Sequence, residues 1–144
     1  PLSKTRNKTL RAGDGPAGGS EQNKVRIILV DDEDMLRDIG KEMIEYLGHE
    51  VETAHDGYSC LEKLKNIKPG FDLVILDMIM PGLDGYHTLQ EMLKRGITTK
   101  VIISSGFSFE HERQEMFSNP LIVAKLNKPF NMNELSSVLV DVLN

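Results

Sequence analysis

The chain has 144 residues, of which 40% are hydrophobic, and a formal net charge of −5, which suits a single domain with one hydrophobic core. No apolar run approaches the roughly 20 residues that span a bilayer, and the N-terminus lacks the apolar core of a secretory signal, so we expect a cytoplasmic protein without a transmembrane helix. The single cysteine, Cys60, excludes an internal disulfide and is predicted to be a small buried hydrophobe on a helix.

The first 24 residues differ from the rest in charge and composition. They carry five basic and two acidic residues, a net charge of +3, whereas residues 25–144 carry 12 basic and 20 acidic residues, a net charge of −8. The segment is rich in Gly and Ser, so burial of apolar surface cannot offset the entropy lost on ordering it. We therefore expect a flexible basic tail or linker over 1–24 and a folded domain over 25–144. Spread charges without aromatic residues are a weak basis for binding nucleic acid or membrane, and neither is expected.

From Val25 onward, short apolar runs alternate with amphipathic ones. The apolar runs predict strands at 25–30, 50–54, 71–77, 100–105 and 121–126. Three of them are almost continuously hydrophobic, as is typical of strands covered on both faces. The amphipathic runs predict helices at 34–47, 58–66, 84–95, 108–117 and 131–143, of which 108–117 is the most polar. This alternation predicts an α/β fold with a five-stranded parallel sheet and five helices.

Side chains with complementary chemistry stand at the carboxyl ends of four predicted strands. They are Asp31 and Asp32, Asp77, Ser104 and Ser105, and Lys128. Because the carboxyl ends of parallel strands lie at one edge of the sheet, where ligands bind in this fold class, we expect these groups to lie close together. Glu33 and Asp34 continue the first acidic run, but acids are favoured at helix N-termini, and we interpret both in that way.

Three carboxylates at one edge repel each other. At ~4 Å and an effective dielectric constant near 20, each pair costs on the order of 4 kcal/mol, so either their pKa values rise or a cation neutralises them. Oxygen ligands without His or Cys favour a hard ion, and Mg²⁺ commonly uses one or two carboxylates with waters and phosphate oxygens. A carboxylate in such a site can attack a phosphoryl group, and the acyl phosphate then needs a metal ion, a hydroxyl and a cation around its oxygens.

Four motifs in this order carry a resemblance to a known family. They are LVDDE (29–33), DMIMPGLDG (77–85), SSG (104–106) and NKPF (127–130). With GHEVETAHDG (48–57), they resemble the receiver (response-regulator) domain of two-component signal transduction over residues 25–144. The resemblance implies a flavodoxin-like, doubly wound sheet with strand order 2-1-3-4-5. It also implies a phosphoprotein that takes its phosphoryl group from a histidine kinase and changes conformation to control a downstream protein, an attached module or a histidine phosphotransfer partner in a phosphorelay.

The resemblance gives the phosphoryl-handling residues their roles. Asp77 would be the phosphoacceptor. Ser105 would bind a phosphoryl oxygen through its hydroxyl, and Lys128 would pair with the same group. Ser104 is disfavoured as the hydroxyl because the family position precedes a small residue, here Gly106. The peptide bond before Pro129 is implied to be cis.

The resemblance also gives a ligand set for Mg²⁺. Asp32 would bind the ion directly, together with Asp77, and Asp31 would act mainly through water. The backbone carbonyl of Ile79, two residues past the acceptor, would be a further ligand.

Two features depart from the family pattern. Lys125 stands where receivers commonly carry a Phe or Tyr that turns inward as the hydroxyl binds phosphate, and a cation cannot be buried like a ring without a partner. We therefore hypothesise that the loop after the fourth strand transmits the signal, with Phe107 or Phe109 as the moving aromatic. In addition, Ile79 and Phe107 are apolar where side chains flank the path of water to the acyl phosphate, which predicts a long-lived phosphorylated state.

Alternatives to a phosphoaccepting receiver remain open at this point. An Mg²⁺-dependent phosphohydrolase with an Asp nucleophile carries an acid two residues later, where this chain has Ile79, so we expect self-catalysed phosphorylation and slow dephosphorylation rather than turnover of external substrates. A degenerate receiver that serves only as a docking module would lack part of the acceptor set, which is complete in this sequence. The basic, Gly-rich lead-in favours a receiver from a hybrid sensor kinase over a free-standing one.

Overall fold

A computed structural model of the chain describes residues 24–66, 68–106 and 118–144. Five strands and four helices lie along these ranges: β1 (Arg26–Val30), α1 (Asp34–Tyr46), β2 (Glu50–Ala54), α2 (Gly57–Leu64), β3 (Leu73–Asp77), α3 (Gly85–Lys94), β4 (Lys100–Ser105), β5 (Ile122–Asn127) and α4 (Met132–Leu143). All strand pairs are parallel and the strand order is β2-β1-β3-β4-β5. The predicted fold class and strand order are confirmed.

The predicted elements agree with the observed ones to within one or two residues. One difference is in β5, which is predicted over 121–126 and runs over Ile122–Asn127. Its register against β4 shifts between Val101 and Ile102, as happens at a β-bulge, and a bulge inserts a residue that no hydrophobic pattern marks. The helix predicted over 108–117 and residues 1–23 of the predicted tail lie outside the described residues.

The starts of α2, α3 and α4 are fixed by side chains that the sequence places just before each of these helices. Asp56 and Asp84 precede α2 and α3, and each accepts the backbone N–H three residues on, at 2.8 and 2.9 Å. Asn131 and Glu134 form a reciprocal capping box at the start of α4, with bonds of 2.8 and 2.9 Å. Each cap satisfies an otherwise unpaired N–H and contributes about 1 kcal/mol. The caps therefore set where α2 and α3 begin, near the carboxyl ends of β2 and β3.

The sheet is buried on both faces. One hydrophobic cluster joins the sheet to α2 and α3 and includes Cys60, which is buried as predicted. The other joins the opposite face to α1 and α4 through Ile44 and Leu135. All five residues of β3 are buried, because this strand lies in the centre of the sheet. The residue that ends β3 is therefore held by close packing on both sides.

Within the described ranges, none of the helices is long and apolar enough to cross a membrane.

Candidate functional site

Three carboxylates meet at the carboxyl edge of the sheet. Asp31 and Asp32 follow β1 and Asp77 ends β3, and because these strands are neighbours, one carboxylate oxygen from each residue lies within 4.8 Å of the others. Asp77 is 2% exposed and Asp31 is 6% exposed, whereas Asp32 is open to solvent. The structure thus brings together the three acids that the sequence places at strand ends.

Lys128 bridges the two buried acids. Its Nζ lies 3.0 Å from Asp31 Oδ2 and 3.1 Å from Asp77 Oδ2, and its side chain is 12% exposed. The lysine directly follows β5, its backbone N–H donates to the carbonyl of Ser105 at 2.7 Å, and the peptide bond to Pro129 is cis. One ammonium among three carboxylates leaves a formal charge of −2 at this edge.

Burial sets the protonation of this site. Burial raises the pKa of Asp77 to about 6, and the neighbouring charge of Asp31 adds to the rise. Two contacts favour the ionised form and limit this rise. They are the backbone N–H of Ile79, at 3.1 Å from Oδ1, and the ammonium of Lys128. Burial disfavours the charged form of Lys128 as well. Its hydrogen bond to Asp31 and the charges of Asp77 and Asp31 outweigh that effect, so the pKa of Lys128 is above its usual value. The lysine is therefore a fixed positive charge at neutral pH.

The donor set fits a hard divalent cation. All three side chains offer carboxylate oxygens, and no His or Cys belongs to this cluster. Mg²⁺ prefers such oxygen ligands, and the formal charge of −2 at this edge matches the charge of a divalent ion. Asp31, Asp32 and Asp77 could hold the ion. Ile79, which is 51% exposed and follows Asp77 by two residues, lies at the rim of the same edge.

Both candidate hydroxyl residues lie at this edge and are buried. Ser104 is paired in register with Asp77 across β3 and β4, and Ser105 is paired with Asn127 of β5. The carbonyl of Ser105 also accepts the N–H of Lys128. Ser105 is thus tied to the lysine through the backbone, while Ser104 is the neighbour of the acceptor in the sheet.

The departures from the family pattern fall on different parts of the structure. Lys125 lies on β5 opposite Ile103 and is exposed to solvent, so this cation is not buried where receivers commonly carry an aromatic ring. Phe107 and Phe109, the residues proposed to move instead, lie outside the described residues.

One residue near the site carries no recognisable signal in the sequence. Arg37 of α1 donates from Nη1 to the backbone carbonyl of Asp31 at 2.8 Å, and its Nη2 pairs with the carboxylate of Asp34. The i,i+3 spacing of Asp34 and Arg37 is the only hint, and such pairs are common on helix surfaces. Asp34 lies in the first turn of α1 as predicted, and Glu33 takes the N-cap position without a side-chain cap hydrogen bond.

Comparisons with known proteins agree on one family. Residues 27–140 match the family model described as the response regulator receiver domain. The chemotaxis protein CheY of Treponema pallidum is 30% identical over 143 residues, which cover 96% of this chain and 94% of that protein. The sensor kinase CckA of Brucella abortus is 29% identical over 146 residues, which cover 92% of this chain and 15% of the kinase.

A solved structure gives the same picture. The chemotaxis protein CheY4 of Vibrio cholerae superposes with a TM-score of 0.74 at 27% identity, covering 83% of this chain and 99% of that one. Seven other curated relatives are longer, and the matched part of this chain spans 12% to 50% of their length.

In metal-free buffer, Asp77→Asn is expected to stabilise the fold at neutral pH. The pKa of Asp77 is about 6 in the folded state against an ordinary value of 3.8, so the folded state binds this proton more tightly than the unfolded state. Below pH 3.8 the carboxyl group is protonated in both states and does not reduce stability. As pH rises from 3.8 through 6, ionisation of Asp77 in the folded state becomes a progressive loss of stability. The cost reaches up to about 3 kcal/mol near pH 7.5, less whatever the amide loses at Lys128.

Urea unfolding in EDTA at about pH 7.5 and about pH 4 checks the sign of this effect. Asp38→Asn, an exposed acid on α1, is the matched control and should change stability little at either pH. A destabilised Asp77→Asn protein near pH 7.5, or a gain of equal size near pH 4, would contradict the burial argument.

Proposed function

The chain belongs to the response regulator receiver domain family, and we propose that it accepts a phosphoryl group on Asp77 from the phosphohistidine of a histidine kinase in an Mg²⁺-dependent reaction. The observation that carries this proposal is the meeting of three carboxylates within 4.8 Å, with Lys128 3.1 Å from the proposed acceptor. Receiver domains act in two-component signalling, and an acid cluster beside a fixed cation is the chemistry that phosphoryl transfer to a carboxylate requires.

The proposed Mg²⁺ site uses the side chains of Asp32 and Asp77 directly, Asp31 mainly through water, and the backbone carbonyl of Ile79. When bound, the ion neutralises the carboxylates and draws charge from the phosphoryl oxygens. Asp31 is also held by Lys128 at 3.0 Å, which suits an outer position. Asp32 is exposed, which leaves its carboxylate open to an ion arriving from solvent.

In the proposed reaction, an ionised oxygen of Asp77 attacks phosphorus. A P–O bond forms as the P–N bond to the donor imidazole breaks, and the imidazole nitrogen keeps the electron pair and takes up a proton. The pKa of about 6 keeps Asp77 mostly ionised at neutral pH and less so below 6. Lys128, which contacts this carboxylate before transfer, is placed to pair with the new phosphoryl oxygens, and the Ser105 hydroxyl is proposed to donate to them.

The proposed partners follow from this chemistry. A histidine kinase phosphotransfer domain supplies the phosphoryl group. A downstream protein, an attached module or a histidine phosphotransfer domain then recognises the phosphorylated conformation. In this proposal all of these steps occur in the cytoplasm, and this domain binds no nucleic acid. Sensor kinases among the relatives support a place in a hybrid kinase, and a free-standing receiver is the other setting. We propose residues 25–144 as the signalling unit and 1–24 as its linker.

Incubation with acetyl phosphate and Mg²⁺ is expected to add the mass of one phosphoryl group to the intact protein. Asp77→Asn should add none, because the amide is not a nucleophile for phosphorus, while the control Asp38→Asn should behave as wild type. Addition of EDTA should prevent the reaction. A wild-type protein that gains no mass would favour a docking module, and steady release of phosphate from external phosphomonoesters would favour a phosphohydrolase.

Ser105→Ala is expected to slow phosphorylation by roughly 100-fold, the effect of removing one donor to developing oxyanion charge. Ser104→Ala removes a hydroxyl of equal size from the neighbouring buried position and is the matched control, expected to retain most of the rate. The initial rate of mass gain under saturating acetyl phosphate and Mg²⁺ measures both. If Ser104→Ala lost more of the phosphorylation rate than Ser105→Ala, the hydroxyl that binds the phosphoryl oxygen would belong to Ser104 instead.

The phosphorylated state is expected to be long-lived. Ile79 is apolar and half exposed beside Asp77, so it cannot orient a water molecule for attack on the acyl phosphate. After removal of the phosphodonor in the presence of Mg²⁺, the phosphorylated mass should decay faster in Ile79→Asn than in wild type, and at the wild-type rate in Ile79→Leu. A wild-type half-life of seconds, or equal decay in the Asn variant, would disprove this prediction.

A further inference from the structure

Arg37 spans the turn between β1 and α1 that carries the first two acids. One arm of its guanidinium, Nη1, donates to the backbone carbonyl of Asp31 at 2.8 Å, and the other, Nη2, pairs with the carboxylate of Asp34. Its side chain is only 16% exposed although it belongs to a surface helix. The two arms therefore connect the end of the sheet to the first turn of the helix.

The carbonyl that Arg37 holds belongs to the peptide group that joins Asp31 to Asp32. A peptide group is planar, so an oxygen fixed by a charged donor also fixes the direction in which the chain continues to the Cα atom of Asp32. Charge-assisted hydrogen bonds of this kind are about twice as strong as neutral ones. The position of the Asp32 Cα atom, from which the carboxylate projects, is thus set from the backbone.

Other contacts of the acidic turn act on Asp31 rather than on Asp32. Oδ1 of Asp31 accepts the N–H of Glu33 at 2.9 Å, and Oδ2 lies 3.0 Å from Nζ of Lys128. Within the ranges that the structure describes, the carboxylate of Asp32 makes no hydrogen bond or ion pair of its own. Its position depends on the peptide group before it, which Arg37 holds.

We propose that Arg37 is a positioning residue for the divalent-cation site, because it holds the Asp31–Asp32 peptide group in the orientation that presents the Asp32 carboxylate to the other two acids. This inference rests on the proposed function, since it concerns the same site. Arg37 contacts the Asp31 carbonyl and the Asp34 carboxylate, so in this proposal it would act through the backbone of the turn rather than on the ion or the phosphoryl group.

The charge of Arg37 and its geometry predict opposite effects on cation binding. A guanidinium bonded to the turn that carries Asp31 and Asp32 repels a divalent cation at the site, so removal of its charge alone should tighten Mg²⁺ binding. Removal of the two-armed contact should weaken Mg²⁺ binding, because the Asp32 carboxylate is no longer held toward the site. The sign of the change in affinity distinguishes the two.

The test is a titration of Mg²⁺ into the full chain without phosphodonor, followed by the amide NMR signals of Asp32 and Ile79. Arg37→Met should bind Mg²⁺ roughly 10-fold more weakly than wild type, the lower end of the range for residues that orient metal ligands. Arg37→Lys keeps the charge but not the planar guanidinium, and its Mg²⁺ affinity should lie between those of wild type and Arg37→Met. Lys41→Met removes a partly exposed charge further along the same helix and should stay within about 2-fold of wild type, because solvent and salt screen that charge.

Two further measurements separate positioning from a loss of folding. Thermal unfolding of each variant in EDTA identifies a temperature at which all remain folded, and the titrations are done there. Phosphorylation of Arg37→Met by acetyl phosphate should need more Mg²⁺ for half-maximal rate yet approach the wild-type rate at saturation, since the acceptor and Lys128 are unchanged. A purely structural role for Arg37 would lower stability and leave the Mg²⁺ affinity of the folded protein unaltered.

Unchanged or tighter Mg²⁺ binding by folded Arg37→Met would overturn the inference, as would an equal loss in Lys41→Met. If Arg37→Met is unfolded, Arg37→Lys decides, and wild-type affinity in that variant counts against positioning. A wild-type protein that binds Mg²⁺ and accepts phosphate while both Arg37 variants match it refutes only the inference. A wild-type protein that does neither refutes the proposed function and the inference with it.

Discussion

Burial of carboxylates at one edge of a parallel sheet is the constraint on which this molecule depends. Packing on both faces of β3 holds Asp77 at 2% exposure, so the acid cannot turn into solvent to escape its neighbours. Burial of the ionised form is costly and raises the pKa of Asp77 to about 6, and the neighbouring charge of Asp31 adds a smaller cost. Lys128 offsets part of that cost by contacting two of the acids. The remaining negative charge is the reason the site suits a divalent cation. A bound cation and a phosphoryl group would both change the net charge at this edge of the sheet.

A site whose net charge changes in this way is suited to a phosphorylation-dependent change of conformation. Lys128 follows β5, its N–H is bonded to the carbonyl of Ser105, and its ammonium contacts acids from two other strands. Under the proposed function, a phosphoryl group on Asp77 would compete with Asp31 for this ammonium and so act on the ends of β4 and β5 together. A local change of charge that biases packed elements is the usual physical basis of phosphorylation switches. Lys125 is exposed on β5, so the surface of this strand carries a cation where receivers commonly have an aromatic ring.

Much of this was readable from sequence because it follows from hydrophobic periodicity and from residues at strand ends. Runs such as 73–76 are buried on both faces and are therefore continuously apolar, and the strand order came from the resemblance. What could not be read depends on three-dimensional contacts. The register shift of β5 leaves no pattern in side-chain polarity, and the raised pKa of Asp77 comes mainly from burial. The role of Arg37 depends on its contact with the Asp31 carbonyl, which only the folded turn forms.

The most direct test of the central claim is a crystal structure with Mg²⁺ and beryllofluoride, which imitates a phosphoryl group on a carboxylate. We predict an ion at about 2.0–2.1 Å from oxygens of Asp32, Asp77 and the Ile79 carbonyl, with beryllofluoride on Asp77 in contact with Lys128. Density for neither group beside Asp77, or an ion bound elsewhere while Lys128 still bridges Asp31 and Asp77 unchanged, would contradict the claim that this edge of the sheet is an Mg²⁺-dependent phosphoacceptor site.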